Sequence, residues 1–412
     1  MTESSTSKPK LSRNVIALGF VSLLTDASTE IVYPFLPFFL IALGAGATFI
    51  GLIEGIAETT ASLLKLVAGH VSDRMRARKK LIVFGYGLSG LTRPMMAIAF
   101  GPMHVLFVRF LDRVGKGFRG APRDALIADA TDPAIRGKAF GFHRAMDHMG
   151  AVIGPLIAFA LLAISQPVGS EAIQADTYRL IFWAATIPAG LAVLVLILFV
   201  REIAPAPKEN TPNGGATSFL TLAPFDARFK GYLLALAIFT LGNSSDAFLL
   251  LRASELGIPT AHIPLLWVAL HIVKSASSVP GSALSDRLGR SWTIRLGWAV
   301  YAVIYAGFSY ADTLWHGWAL FAAYGIYFGL TEGSEKAYVA DLVPSELRST
   351  AYGIHGFTIG IVALPASVLF GAIWSAYGSA TAFATGGLIS ILASVLLTVL
   401  PVFRQSATDE HG

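Results

Sequence analysis

Carboxylates that can take up and release protons lie inside stretches of the sequence that are otherwise apolar. Asp26 and Glu30 are four residues apart in the first of these stretches, and Glu58 and Asp147 lie in two others. Residues at positions i and i+4 share one face of a helix, so Asp26 and Glu30 would lie side by side. Desolvation and a neighbouring carboxylate both favour the protonated form of an acid. We therefore take these four residues as candidates for proton coupling, with Asp26 as the first choice.

A second set of polar residues is expected to line a cavity between helices. Lys116, His271 and Lys274 fall near the middle of their apolar stretches, where secondary transporters bind their substrates. Arg113 precedes Lys116 by one helical turn, and Asp246 interrupts another apolar stretch. These five residues are the candidates for a substrate cavity.

Structural ion pairing is the alternative role for any of these charges. Asp112 could pair with Arg109 or Lys116, and Asp147 could pair with Arg144. A lone charge that faces lipid at mid-span costs at least about 2.5 kcal/mol, so each charge must meet protein or water in either role. Further charges inside the apolar stretches have no assigned role: Glu54, Lys65, Arg93, Glu332 and Glu335.

The elements that position these residues are expected to be membrane-spanning helices. Of the 412 residues, 54% are hydrophobic and 14% are charged, whereas about a quarter of the residues of a soluble domain are charged. Apolar runs of about 20 residues can cross a membrane, and their backbone groups must be satisfied within the run, as in a helix. Twelve such runs lie at approximately 14–43, 48–70, 79–100, 103–125, 138–164, 179–200, 229–251, 262–282, 292–311, 315–338, 349–375 and 379–403. The predicted fold class is an all-α membrane protein with twelve transmembrane helices.

The distribution of lysine and arginine in the connections predicts the orientation in the membrane. With both termini in the cytoplasm, 19 basic residues lie on the cytoplasmic side, against Arg179 and Arg252 outside. Basic residues favour cytoplasmic loops. We therefore expect a multi-pass protein of the inner membrane with cytoplasmic termini. The same asymmetry accounts for the net charge of +5 without a nucleic-acid partner.

The chain is expected to consist of two homologous halves. The longest cytoplasmic connection, residues 201–228, is rich in Pro, Asn and Gly, which is typical of a flexible linker. Residues 128–143 and 340–355 form an internal repeat, with six identities in sixteen positions. We expect two six-helix bundles related by pseudo-symmetry around a central cavity. The predicted segments are a tail at 1–13, bundles at 14–200 and 229–403, and a tail at 404–412.

Two loops carry a motif that resembles the signature of the major facilitator superfamily. Gly69, Asp73 and Arg74 stand between the second and third runs, and a second copy that includes Asp286 and Arg287 stands at the matching place in the second half. The resemblance covers nearly the whole chain and implies a transporter with alternating access. It also implies a cytoplasmic gate, because Asp and Arg at helix ends can pair with each other or with helix termini.

The fourth and fifth runs extend this resemblance. Arg109 stands at the arginine position of the family's fourth-span pattern, and we group Arg109, Asp112 and Arg144 with the gating residues. In the fifth run, Gly150, Gly154 and Pro155 resemble part of the signature of the superfamily's proton antiporters. Small residues allow close helix packing and a proline bends a helix, so these three are the expected hinge.

The expected function is export of a small molecule in exchange for protons. Acidic residues in the first span and an arginine in the fourth resemble some drug–proton antiporters of the superfamily. Motifs for nucleotide binding, zinc proteolysis and serine hydrolysis are absent, so we expect no enzyme activity and no cofactor. The partners would be protons, a small-molecule substrate and the lipid bilayer, with the protein as a monomer.

Two other functions remain open at this point. Arg113, Lys116 and Lys274 favour a proton-coupled importer of a small organic or inorganic anion. A membrane sensor that does not transport would also fit the helices. Measurement of flux separates a transporter from a sensor, and its response to a pH gradient separates an exporter from an importer.

Overall fold

The computed structural model describes residues 11–75, 78–131, 136–165, 173–203, 222–343 and 347–399. Its helices within these ranges are α1 (Arg13–Val32), α2 (Leu36–Ala42), α3 (Ala47–Met75), α4 (Arg78–Ala97), α5 (Pro102–Asp129), α6 (Arg136–Ser165), α7 (Ala175–Phe199), α8 (Ala227–Gly242), α9 (Asp246–Glu255), α10 (Ile263–Leu288), α11 (Arg290–Tyr310), α12 (Leu314–Leu342) and α13 (Arg348–Val399). Short 3₁₀ turns lie at Tyr33–Phe35 and Thr260–His262.

These helices form twelve rods. The first rod is α1 followed by α2, joined through the turn at Tyr33–Phe35, and the seventh is α8 followed by α9, with a break at 243–245. The last two rods both belong to α13, because Gly378 adopts a φ of +84° inside it, a backbone conformation that favours glycine. The rods match the twelve runs read from the sequence, so the predicted fold class is confirmed.

Hydropathy identifies only some of these rods as membrane spans. In the described ranges, seven helical segments are long and apolar enough by composition alone, and α4, α5, α11 and α12 are not among them. Along α5, the cations Arg109, Arg113 and Lys116 interrupt the apolar residues. Such helices can still cross a membrane when their charged face points into protein or water.

The rods pack into two similar bundles. In the first bundle, α1 lies against α6 and α7, and α5 lies against α3 and α4. In the second, α8 lies against α13, and α12 lies against α10 and α11. The second bundle therefore repeats the packing order of the first, as expected for homologous halves.

Among the described residues, the bundles meet mainly through two helix pairs, α3 with α13 and α6 with α10, and to a lesser extent through α2 with α9. The α3–α13 pair is close because a Cβ atom at Gly51 would overlap the backbone carbonyl of Ser367. Thr59 donates a hydrogen bond to the carbonyl of Gly360 at 2.5 Å across the same contact. Small residues let two helices approach in this way.

The two ends of the molecule are distinguished by the loops they carry. We call the end with residues 11–12, 200–203, 222–226 and 343 the termini end, and the end with residues 43–46, 98–101, 256–259 and 311–313 the far end. The described parts of the expected linker, 201–203 and 222–226, are not helical. The rest of that linker and most of both tails lie outside the described residues, so the segment boundaries stay a prediction.

Candidate functional site

A cavity of about 550 Å³ lies between the two bundles and takes its walls from both. This volume is in the range of sites that hold small molecules. Among the residues that the structure describes, seven carboxylates line it: Asp26, Glu30, Glu54, Glu58, Asp112, Asp246 and Glu332. Four cationic side chains line it: Arg113, Lys116, Arg119 and Lys274. Most of the residues proposed for proton coupling or substrate binding meet here, whereas Asp147 and His271 do not line it.

Asp26 and Glu30 form one wall of the cavity, on α1. Helix α1 is held close to α6, because a Cβ atom at Gly150 or Gly154 would overlap backbone carbonyl oxygens of α1. Pro155, the third expected hinge residue, is buried inside α6. Within the described part of the chain, the Asp26 carboxylate has no hydrogen bond or ion pair. Asp26 therefore faces the cavity as an unpartnered acid.

Trp267 of α10, in the second half of the chain, contacts this wall of the cavity. Its Nε1 donates a hydrogen bond to Oε2 of Glu30 at 2.7 Å, and its ring centroid lies 5.1 Å from that of Tyr33. Hydrogen bonds to an ionised carboxylate are about twice as strong as neutral ones. Nothing in the sequence singled out Trp267, because an aromatic residue in an apolar run is ordinary.

A buried cluster of ion pairs joins α3, α4 and α5 beside the cavity. Arg109 donates to both carboxylate oxygens of Glu54, at 2.7 and 2.9 Å, and lies 3.8 Å from Asp112. Asp112 in turn accepts a hydrogen bond from Arg93 at 3.3 Å. All four side chains are buried. Charges removed from water require partners of this kind.

The position of this cluster corrects two expectations from the sequence. Arg109 and Asp112 were grouped with a cytoplasmic gate, but they lie in the half of α5 nearer the far end, inside the bundle. For Asp112 the sequence left Arg109 or Lys116 as the partner: the structure pairs Asp112 with Arg109 and also with Arg93, and not with Lys116. Both residues lie on one face of α5 and both line the cavity, but the carboxylate of Asp112 is held by Arg93 and Arg109, whereas the side chain of Lys116 is exposed.

Three further cations of α5 line the cavity at intervals of three residues, Arg113, Lys116 and Arg119. Arg119 lies over the ring of Tyr86, 4.5 Å from its centroid. Arg113 and Arg119 are buried, and Lys116 is exposed. Among the residues that the structure describes, none of these three cations forms an ion pair. Glu58 on α3 lines the same cavity and is likewise without an ion pair there.

The second half contributes the break between α8 and α9. Ser245 caps α9 by accepting a hydrogen bond from the backbone N–H of Ala247 at 3.3 Å, which leaves Asp246 as the first residue of the helix. The hydroxyl of Tyr324 donates to Oδ1 of Asp246 at 2.9 Å. Asn243 is fixed by the hydroxyl of Tyr301 at 3.2 Å. Three consecutive polar residues at 243–245 were the available signal for this break.

Lys274 and His271 lie on α10 with different surroundings. Lys274 forms an ion pair with Glu332 at 2.7 Å, and its Nζ lies 4.1 Å from the ring centroid of Phe328. His271 was expected in the cavity, but its ring packs against Trp267, with centroids 5.3 Å apart, and both of its ring nitrogens are buried without a hydrogen bond among the described residues. Trp267, His271 and Lys274 stand at positions i, i+4 and i+7 and so share one face of α10. Trp267 and Lys274 line the cavity, whereas His271 between them does not.

Asp147 lies on α6 and does not line the cavity. Ser22 donates a hydrogen bond to it, His143 lies 3.5 Å away and Arg144 4.0 Å away. Arg144 is mostly exposed. The sequence left open an ion pair between Asp147 and Arg144. The structure has this pair, at a long distance of 4.0 Å.

The signature residues are described only in part. Gly69, Asp73 and Arg74 fall on α3 and Asp286 falls on α10, but their surroundings lie outside the described residues. Arg287 is exposed at the termini end of α10. The gate assigned to them stays a prediction. Within the described ranges, no group of three or more His, Asp or Glu side chains could hold a metal ion.

Comparison with known proteins places the chain among transporters. A family model described as Major Facilitator Superfamily matches residues 18–330 and 233–411. An uncharacterized MFS-type transporter of Methanocaldococcus jannaschii is 33% identical over 394 residues, which cover 94% of this chain and 95% of that protein. The multidrug resistance protein MdtH of Salmonella choleraesuis is 29% identical over 226 residues, which cover 53% of this chain and 52% of that protein.

One solved structure shows the likeness of the fold. A bacterial homolog to the human lysosomal transporter Spinster, in an inward-facing and unoccupied conformation, matches with a TM-score of 0.74 at 17% identity. The match covers 98% of each chain. At this level of identity the comparison concerns the fold alone.

Proposed function

The chain belongs to the major facilitator superfamily, and on this premise we propose that it exports a small molecule in exchange for protons. The protein acts as a monomer in the inner membrane with both termini in the cytoplasm. The energy comes from the proton gradient, since the sequence has no nucleotide-binding loop.

The observation that carries this proposal is the unpartnered Asp26 carboxylate in the cavity wall. Glu30 follows it one helical turn later on the same wall. A carboxylate that is partly removed from water and lies near another acid is suited to proton exchange. The partial similarity to multidrug resistance protein MdtH supports export as the direction.

Alternating access is supported by the position of the contacts between the halves. Among the described residues, these contacts lie between the middle of the helices and the far end, as in the bonds from Thr48 to Gly371 and from Thr59 to Gly360 and the ring contact of Phe159 with His262. The far end is thus the closed side. With the termini in the cytoplasm, substrate enters from the cytoplasm.

The Glu30–Trp267 bond is the contact that couples protons to opening of the far end. Ionised Glu30 holds Trp267 through a charge-assisted hydrogen bond. A positive charge that reaches Glu30, such as a proton, weakens this bond and releases the halves. The empty, ionised protein therefore stays closed at the far end and does not cycle, which is what an exchanger requires.

Transport in proteoliposomes tests the function. Counterflow of a radiolabelled substrate, found by screening compounds for thermal stabilisation of the purified protein, identifies a transporter. An imposed proton gradient that is acid on the far-end side should then drive substrate toward that side. Movement of substrate together with protons would overturn the exporter and favour the importer.

A proton-coupled importer of an anion is the second candidate. Arg113 and Lys116 line the cavity, and neither forms an ion pair among the described residues. Such cations can bind a carboxylate or phosphate group. The same gradient experiment decides between the two directions.

A further inference from the structure

The second half of the cavity contains one acid that lacks a cationic partner, Asp246. The other charges on this side, Lys274 and Glu332, neutralise each other at 2.7 Å. Asp246 accepts a hydrogen bond from the neutral hydroxyl of Tyr324. Within the described ranges, no Lys, Arg or His forms an ion pair with it. This side of the cavity therefore has a negative charge available to a ligand.

Aromatic residues of the second half line the cavity together with Asp246. Trp267, Tyr324 and Phe328 all line it. A carboxylate combined with aromatic faces is the chemistry that binds ammonium groups. The protein already uses it once here, because the ammonium group of Lys274 lies 4.1 Å from the ring centroid of Phe328 while it pairs with Glu332.

The opposite wall favours the same orientation of a positive group. Arg113, Lys116 and Arg119 all line the cavity from α5. Like charges repel, so an ammonium group is directed away from α5. On the same half, the unpaired acids Asp26, Glu30 and Glu58 balance these three cations, so among the described residues the negative charge without a counterpart is that of Asp246.

The charges of the lining leave room for one added positive charge. Three of the seven lining carboxylates are paired: Glu54 with Arg109, Asp112 with Arg93 and Glu332 with Lys274. Among the described residues, four lining carboxylates remain without an ion pair: Asp26, Glu30, Glu58 and Asp246. Three lining cations remain likewise: Arg113, Lys116 and Arg119. One negative charge is therefore uncompensated.

We propose that the exported molecule carries an organic ammonium group, and that this group binds at Asp246 among Trp267, Tyr324 and Phe328. The proposal rests on the proposed export function and names its substrate class. The proposal also explains exchange. The uncompensated negative charge of the cavity can be neutralised by one positive charge, either a proton or the ammonium group. The two positive charges repel each other when both are present.

Binding to the purified full chain in detergent tests the subsite. The probes are choline, tetraethylammonium and benzyltrimethylammonium, with 3,3-dimethylbutan-1-ol as the neutral isostere of choline and phenylacetate as an anion. We expect at least one ammonium probe to raise the unfolding temperature and to bind in titration calorimetry, and the neutral isostere to do neither. Asp246→Asn should lower the affinity of that probe at least tenfold.

Two controls keep the result specific. Asn at 246 can still accept the hydrogen bond of Tyr324, so the variant should unfold near the wild-type temperature without ligand. Asp176→Asn, at an exposed carboxylate near the far end, should bind the probe like the wild type. The proposal is overturned if no ammonium probe binds, if the neutral isostere binds equally, or if Asp246→Asn retains full affinity.

The binding assay does not depend on proton coupling. If an ammonium probe binds through Asp246 but flux does not respond to a pH gradient, the ammonium subsite stands and the proposed proton-coupled export is wrong. If the protein exports substrate in response to the gradient but binds only phenylacetate among the probes, the export function stands and the ammonium subsite is wrong.

Discussion

Individual charges in this protein have different roles according to their partners. Asp112 and Glu54 are fixed by arginines in a buried cluster, whereas Asp26 and Lys116 line the cavity without an ion pair among the described residues. A buried charge that loses its partner is strongly destabilising, whereas a charge in contact with water is not. Substitutions at the two kinds of site should therefore be distinguishable by stability and by transport.

Asp26→Asn should abolish substrate accumulation driven by a pH gradient and leave counterflow intact. Asparagine fills the same space but cannot take up a proton. The measurement is flux in proteoliposomes with and without an imposed gradient, and Asp176→Asn serves as the matched control because its carboxylate is exposed near the far end. Accumulation by Asp26→Asn at the wild-type level would assign the proton to another carboxylate.

Asp112→Asn should destabilise the protein far more than Lys116→Gln. The first change removes the negative charge that contacts Arg93 and Arg109 and should cost about 3–5 kcal/mol. The second changes a side chain that is exposed to the cavity and should cost within about 0.5 kcal/mol. Denaturant unfolding in detergent compares them, and an equal loss for both would show that Lys116 has a structural partner.

At the scale of elements, two features position the cavity side chains. The break at 243–245 ends α8 and begins α9, so that Asp246 lies at a helix start beside the cavity. Gly150 and Gly154 of α6 let the backbone of α1 approach closely. This close packing fixes the position of Asp26 and Glu30 in the cavity wall. A helix that could not approach so closely would move both carboxylates.

Gly154→Ala should destabilise the protein and reduce transport. The added methyl group would overlap the carbonyl oxygen of Ala27 and crowd Glu30, and overpacking of this kind costs about 1–3 kcal/mol. Gly190→Ala on α7 is the control, because nothing lies within 4 Å of its added methyl group. Unfolding temperature and counterflow measure both variants, and equal behaviour would argue against close α1–α6 packing.

The contacts between the two halves decide which end of the molecule, the termini end or the far end, is open. They include the α3–α13 pair, the α6–α10 pair and the hydrogen bond from Trp267 to the carboxylate of Glu30. The α3–α13 pair is joined by small residues and by hydrogen bonds between neutral groups, which do not gain or lose a charge. The Trp267–Glu30 bond does respond to charge, and it is therefore where a proton can act on the conformation.

Trp267→Phe should favour opening of the far end. Phenylalanine keeps a ring against Tyr33 but cannot donate to Glu30, and a hydrogen bond to a charged group contributes about 1.5–3 kcal/mol, which corresponds to about tenfold or more in population. The chain has no cysteine, so a single Ala363→Cys in the cavity lining reports access. A membrane-impermeant maleimide added on the far-end side should label it faster in the Trp267→Phe background.

The control for this experiment is Trp315→Phe, since Trp315 is exposed near the far end and takes no part in the contact. It should label at the rate of the Ala363→Cys protein alone. An unchanged labelling rate for Trp267→Phe would mean that the indole hydrogen bond does not hold the far end closed.

Local properties of the chain were sufficient to predict the twelve rods and the division into halves. A run of about 20 apolar residues can cross the membrane, and exposing its backbone groups to lipid is costly, so each run is predicted to be a helix. The repeat that ends at His143 and His355 indicates that the two halves of the chain are homologous. The same cost predicts that charges such as Asp26 and Lys116 face inward, as their place in the cavity lining shows.

The pairing of those charges was decided only by the tertiary structure. Asp112 contacts Arg93 rather than Lys116, and Glu30 accepts from an indole 237 residues away. A rotation of a helix by a fraction of a turn changes each of these outcomes without any change in the pattern of apolar residues. Hydrogen bonds and ion pairs depend on distances of a few ångströms between helices that are remote in the chain, and those distances are set by packing of whole bundles.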